Sequence, residues 1–271
     1  MALPELASID GRITPTQDAS LPLPDDGLYR GDGVFEVMRL YGGTPFALDE
    51  HLDRIERSAA AIELPVDRPR VEDELGPLLE RVAGSAGQLR IILTRGGRRV
   101  LLTEPLASYE ETLTLASVTY APALLLTGVK SISYAANMQA TRLAQAKGAD
   151  EALLVSPDGV VLEAPTSSLF FADAGGRLHT PSLGSGILES ITRQKLVEEL
   201  EVVEGEYRLE EVVAASEAFL ASTTREVQAV ARVDDTELQG PGPRTRDAEE
   251  AFAAIVEREL GSVSPGAGAP R

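Results

Sequence analysis

Strand-length apolar runs and helical stretches are interleaved along this chain without a regular strand–helix–strand rhythm, and that irregularity constrains the fold most. A doubly wound parallel sheet needs the regular rhythm, whereas segregated runs of strands and helices belong to α+β architectures. Residues 34–41, Val-Phe-Glu-Val-Met-Arg-Leu-Tyr, read as a strand that Gly42-Gly43 turns into a short partner ending at Phe46. Asp49 then caps a helix whose apolar positions Leu48, Leu52, Ile55, Ala59 and Ile62 recur at helical spacing, and Pro65 ends it. A second helix is expected over 69–84, with Gly76-Pro77 as an internal weak point. Residues 88–94 and 112–119 read as strands of the same N-terminal unit. Residues 121–127 read as a crossing segment.

The second half opens with a short strand near Gly128–Ser133, followed by a helix over about 136–147 that Gly148 stops. Strands are expected at 151–155, 159–163, 168–171 and 177–180, with Asp158-Gly159 as a hairpin turn. A helix starts near Ser190, strands cover 202–207 and 218–222, and a last helix runs from about Arg246 to Leu260. The organisation expected is two domains, 1–120 and 128–260, joined by 121–127. The Gly/Pro/Ser/Ala-rich tail 261–271 is expected to be disordered.

Composition removes several chemistries. The 271 residues contain no cysteine and two histidines, so disulfides, thiolate catalysis and thiolate or histidine metal sites are not expected. A formal charge of −18 would repel a phosphate backbone, which argues against nucleic acid as a partner. No apolar run has the length of a membrane span, and the first residues resemble no secretion signal. A cytoplasmic location, away from membranes, is the expectation.

Lysine and arginine together number 25, yet lysine stands only at Lys130, Lys147 and Lys195. Arginine does not deprotonate in proteins, so amine chemistry has three candidate residues. Lys147 sits at a helix end, where a cation complements the dipole, and Lys195 sits with Glu198 and Glu199 on an expected solvated face. Lys130 instead lies in Gly-Val-Lys-Ser-Ile-Ser-Tyr, a β-like apolar run where it is either a snorkelling strand-end lysine or a functional amine. Two segments suit an anion. Leu183–Arg193 runs from a glycine-bearing loop into a helix whose first amides and Thr192 hydroxyl could bind one, although Ser190 as a simple N-cap explains the same pattern. Ala221-Ser-Thr-Thr-Arg-Glu-Val places three hydroxyls after a buried strand, and Glu163 ends the run Gly159-Val-Val-Leu-Glu.

Taken in order, these blocks resemble the class IV, fold type IV, pyridoxal-phosphate aminotransferases. The resemblance rests on Gly128-Val-Lys-Ser, Gly148-Ala-Asp-Glu-Ala-Leu-Leu-Val, Asp158-Gly-Val-Val-Leu-Glu-Ala-Pro-Thr-Ser-Ser-Leu-Phe-Phe, Ile191-Thr-Arg and Ser222-Thr-Thr-Arg-Glu-Val. Upstream, Tyr29-Arg-Gly-Asp-Gly-Val-Phe-Glu-Val-Met-Arg-Leu-Tyr and Glu50-His-Leu-Asp-Arg-Ile extend it, so that about 25–235 is covered. It implies an α+β fold of two domains: a smaller N-terminal α/β sandwich and a larger C-terminal domain with a barrel-like sheet. The cofactor, pyridoxal 5′-phosphate, is expected between the domains, and the molecule is expected to be a homodimer. Lys130 would carry the cofactor as a Schiff base and then move the substrate proton, which requires that the site depress an ordinary lysine pKa of ~10.4. Glu163 would sit against the pyridine nitrogen and keep it protonated; Arg54, Ile191, Thr192 and Thr223 would hold the phosphate; Thr224 would line the same loop; and Tyr134 would bond the phenolic oxygen. One departure is Ser168, where many relatives carry asparagine.

Within the family, Gly31-Asp-Gly-Val-Phe-Glu-Val resembles the D-amino-acid aminotransferases, which implies transfer between a D-amino acid, or an (R)-amine, and a 2-oxo acid. Those enzymes bind the substrate carboxylate with an arginine and a histidine after Thr-Arg-Gly. Here Thr94-Arg-Gly-Gly-Arg-Arg supplies Arg98 and Arg99 without the histidine, and Arg30 and Phe35 are further substrate-side candidates. Aminodeoxychorismate lyase is the alternative, followed by a branched-chain L-amino-acid aminotransferase.

Overall fold

A computed structural model describes residues 2–261. Beyond Gly261 the tail expected to be disordered lies outside the described residues. The chain divides into two compact units. The first takes the chain up to Ser108, Val129–Tyr134 and the end of the last helix from Val256; the second takes Tyr109–Gly128 and Ala135–Ile255.

The first unit is built on an antiparallel six-stranded sheet. Its strands are β1 (Leu6–Ile9), β2 (Arg12–Pro15), β3 (Gly33–Tyr41), β4 (Thr44–Pro45), β5 (Gly87–Thr94) and β6 (Arg99–Glu104), in the order β2-β1-β6-β5-β3-β4. Its helices are α1 (Asp26–Arg30), α2 (Leu48–Ala61) and α3 (Arg68–Arg81). Asp49 lies in the first turn of α2 rather than at its cap; the cap is Ala47, left-handed at φ 54°, and the two acids of the first turn, Asp49 and Glu50, complement the helix dipole instead. α3 is capped by Asp67, whose carboxylate accepts the Arg70 amide, and it continues through Pro77. Side chains of a strand alternate between faces, so Val34, Glu36, Met38 and Leu40 of β3 share one. Val34, Met38 and Leu40 bury there against Leu52, Ile55 and Ala59 of α2 and Val71, Leu75 and Leu78 of α3. Each large apolar side chain so buried contributes roughly 1.5–3 kcal/mol.

The second unit has an eight-stranded mixed sheet that curls into a half-barrel. Its strands are β7 (Thr112–Thr119), β8 (Glu151–Val155), β9 (Ser168–Ala172), β10 (Leu178–Pro181), β11 (Val202–Gly205), β12 (Glu217–Ser222), β13 (Glu226–Val233) and β14 (Thr236–Glu237). The order is β11-β10-β9-β12-β13-β7-β8, with β14 on β13. The helices are α4 (Ala135–Ala146), packed on β7 and β8; α5 (Ile191–Glu199), on β12; α6 (Leu209–Val213); and α7 (Pro243–Leu260). The Asp158-Gly159 turn forms, with Gly159 at φ +86° and Leu154 and Leu162 paired across it. Among the described residues no helix is long and apolar enough to cross a membrane.

Two elements sit elsewhere than the sequence suggested. β7 pairs in parallel with β13 and β8 and belongs to the second sheet, not to the N-terminal unit. The segment around Lys130 packs with the first unit, because Val34 bridges Ser131 and Ile132 donates to the Gly33 carbonyl at 3.0 Å. Partner choice by a short strand is decided by distant chain, which local pattern does not encode.

Candidate active site

Both main-chain groups of Lys130 are fixed. Its carbonyl accepts the Phe35 amide at 3.0 Å, and its amide donates to Ser58 Oγ at 3.1 Å. The half-buried side chain reaches over the Phe35 ring, with Nζ 4.5 Å from the centroid. Tyr134 meets the same ring edge-on at 5.3 Å. A cation over a ring face gains roughly 0.5–1 kcal/mol when exposed and more when desolvated, so the amine has a preferred resting place.

Phe35 and Glu36 point to opposite faces of β3. Glu36 is fully buried on the face covered by α2, where Arg54 Nε and Nη2 each donate to its carboxylate at 2.7 Å. His51 Nδ1 is also 2.7 Å from the carboxylate. Burial alone would raise the Glu36 pKa, but the Arg54 charge and the bonds from Arg54 and His51 outweigh it and hold the group at about 2. His51 is shifted the other way: burial lowers its pKa, the bond to Glu36 opposes this, and the Arg54 and Lys130 charges add to the lowering. A neutral imidazole beside a carboxylate carries its proton on Nδ1. Nε2 is then a bare acceptor, and it has no partner among the described residues.

In the second unit, Ser190 caps α5 by accepting the Arg193 amide at 3.4 Å. Ile191 and Thr192 are the first helical residues and are buried, and Thr192 Oγ1 has no partner among the described residues. Thr223 and Thr224 occupy the turn between β12 and β13, and Thr224 Oγ1 lies 3.0 Å from the Tyr109 hydroxyl. Arg225 anchors that turn through Glu151 at 2.6 Å and Gln228 at 2.8 Å. Glu163 is half-buried and accepts the Leu188 amide at 3.0 Å. Tyr120 is raised above its ordinary pKa by burial and then by the Glu163 charge.

The structure thus brings Lys130, Phe35 and Tyr134 together, and gathers Ile191 and Thr192 at one helix start. It does not bring the three candidate arginines together. Arg30 is exposed on α1 and pairs with Asp26 at 3.1 Å. Arg98 pairs at 2.8 Å with Asp10 of the β1–β2 turn, and Arg99, which opens β6 two strands across the sheet from β3, pairs at 2.8 Å with Glu74 of α3. Lys195 is buried rather than on a solvated face, and Ser168 is buried with its hydroxyl unpartnered among the described residues. Glu36, His51 and Ser58 were not singled out by sequence. Their signal was available: Glu36 interrupts the apolar set Val34, Met38, Leu40, and His51, Arg54 and Ser58 fall at i, i+3 and i+7 among the core positions of α2.

The donor set suits a phosphorylated aldehyde cofactor with a ring nitrogen. In the second unit the Thr192 hydroxyl, buried at a helix N-terminus and without a partner among the described residues, suits an anion, and Glu163 carries a carboxylate; in the first unit Lys130 carries an amine. The sequence pattern of the amino-transferase class IV family matches residues 33–233. The chain is 30% identical to D-alanine aminotransferase of Bacillus licheniformis (92% of this chain, 96% of that one) and 28% to aminodeoxychorismate lyase of Bacillus subtilis (93% and 94%). It is 29% identical to a putative branched-chain-amino-acid aminotransferase of Methanocaldococcus jannaschii (91% and 95%). Among solved structures, a hypothetical aminotransferase from Mycobacterium tuberculosis in its PLP-bound form superposes with a TM-score of 0.85 at 25% identity, covering 93% of this chain and 98% of that one. The chain therefore belongs to the class IV aminotransferases and is an enzyme that uses pyridoxal 5′-phosphate.

Proposed function

We propose that this enzyme transfers an amino group between a D-amino acid and a 2-oxo acid, with Lys130 as the covalent anchor of the cofactor and the carrier of the substrate proton. The mounting of Lys130 carries this reading: a half-buried amine over the Phe35 ring, with both main-chain groups held. Bound pyridoxal phosphate supplies an electron-withdrawing ring that tolerates negative charge at the substrate carbon. The Lys130 amine, when neutral, would take the proton from that substrate carbon and hand it on.

In this reading Arg54, the Ile191 and Thr192 amides, and the Thr192 and Thr223 hydroxyls hold the phosphate, with Thr224 on the same loop. Glu163 keeps the ring nitrogen protonated, and Tyr134 bonds the phenolic oxygen. Phe35 lines the substrate side. Of the carboxylate-binding candidates, Arg30 has the exposed and therefore weak ion pair, while Arg98 and Arg99 are engaged by partly buried acids. The enzyme acts as a homodimer in the cytoplasm. The D-amino-acid preference is supported by the Gly31–Val37 block and by similarity to D-alanine aminotransferase.

The test is single-turnover bleaching of the visible band of cofactor-loaded enzyme by D-alanine, D-glutamate, L-leucine or L-glutamate, with aminodeoxychorismate in parallel. Bleaching by the D-substrates alone supports the proposal. Bleaching by the L-substrates replaces it with a branched-chain specificity. Release of pyruvate from aminodeoxychorismate without transamination replaces it with the lyase.

A further inference from the structure

The polar face of α2 has a member that the proposed chemistry does not use. His51, Arg54 and Ser58 lie at i, i+3 and i+7, so they share one side of the helix. All three are buried there, among Leu52, Ile55 and Ala59. His51 and Arg54 grip Glu36, and Ser58 Oγ accepts the Lys130 amide at 3.1 Å. Ser58 is 2% exposed, so water does not compete for that bond. Alanine would be the better helix former at such a position, and it would leave a shielded N–H without a partner.

We infer that Ser58 is a positioning residue for the reaction: it fixes the Lys130 main chain so that the amine is delivered at one place and angle to the cofactor's carbonyl carbon. The inference rests on the assignment of Lys130 as the covalent anchor. Its physical basis is that Lys130 has two main-chain tethers in the first unit, the Phe35 amide on one side and Ser58 on the other. Removing the Phe35 bond would disturb the sheet edge, whereas removing the Ser58 bond loosens Lys130 from the helix alone. A four-carbon side chain amplifies small rotations at its Cα, and misplacement of reacting groups by an ångström is costly in rate.

The experiment compares wild type with Ser58→Ala, Ser58→Thr, Ser58→Cys and Lys130→Ala. Pyridoxal phosphate is added to each apo protein. Its binding is followed by fluorescence, the growth of the visible band by stopped flow, the pH midpoint of the band by titration, and thermal stability separately. In Ser58→Ala the cofactor should bind with about wild-type affinity while the band forms about tenfold more slowly and its midpoint moves by about half a pH unit. Ser58→Thr, which keeps the acceptor oxygen, should restore both. A Ser58→Ala protein whose band forms at the wild-type rate with the wild-type midpoint overturns the inference. So does slow formation that threonine fails to rescue. If Ser58→Ala does not fold, Ser58→Cys, a weaker acceptor of similar size, decides on the same readouts. A visible band in Lys130→Ala would instead remove the Lys130 assignment itself.

Discussion

Arg54 grips Glu36 through two parallel bonds of 2.7 Å inside the first unit, with carboxylate and guanidinium both removed from water. A bidentate pair of this kind fixes the plane of the guanidinium as well as its position. Arg54 is therefore presented in a set orientation.

Glu36→Gln keeps the shape of the side chain and removes its charge. A buried pair broken on one side typically costs 3–5 kcal/mol, because the remaining charge is left uncompensated. Urea unfolding of the apo protein should show a loss of about that size. Cofactor affinity should fall as well, since Arg54 loses its orientation. A variant as stable as wild type would mean that the pair contributes nothing net.

Stability should decline on acidification in two stages, and the sign is the same for both groups. His51 has a folded pKa below its unfolded value of ~6.5, so its contribution is present above that pH and is lost as pH falls through it. Glu36 drops from 4.5 to about 2 on folding, so its contribution, roughly 3 kcal/mol, is present above pH 4.5 and lost between there and about 2. Denaturant midpoints at about pH 7.5, 6.0, 5.0, 4.0 and 3.0 check this. His51→Asn should flatten the first stage and leave the second.

Thr192→Val removes a buried hydroxyl that has no partner among the described residues. The apo protein should be as stable as wild type or slightly more so, because an unsatisfied polar group is replaced by an apolar one of similar shape. Pyridoxal phosphate should bind roughly 10–100-fold more weakly, the range for one hydrogen bond to a charged group. Equal affinity for cofactor would show that this hydroxyl does not meet the phosphate.

Lys130→Ala should abolish turnover and the visible band while leaving the thermal midpoint within a few degrees, because the side chain is half-buried and outside the apolar core. Glu163→Gln should retain cofactor and slow turnover by roughly a hundredfold, the scale of losing one preorganised charge at a reacting centre. An unchanged rate in that variant would reduce Glu163 to an acceptor for the Leu188 amide.

The sequence by itself determined much of the frame. The spacing of Leu48, Leu52, Ile55 and Ala59 specified α2 and its buried side, Asp158-Gly159 specified its turn, and Ser190 specified the start of α5, because each is a signal complete within a few residues. The scarcity of lysine singled out Lys130, and the ordered motifs around it pointed to the family that the comparisons then showed. Only the tertiary structure decided which sheet β7 joins, that β1, β2 and β6 exist as strands beside β5, and that the Lys130 segment packs on β3. Strands acquire partners from chain far away, and nothing local states which. The same holds for polar residues in the core. Glu36, His51 and Ser58 look like interruptions of apolar patterns until folding buries them, and burial is what turns each interruption into a bond that water can no longer replace.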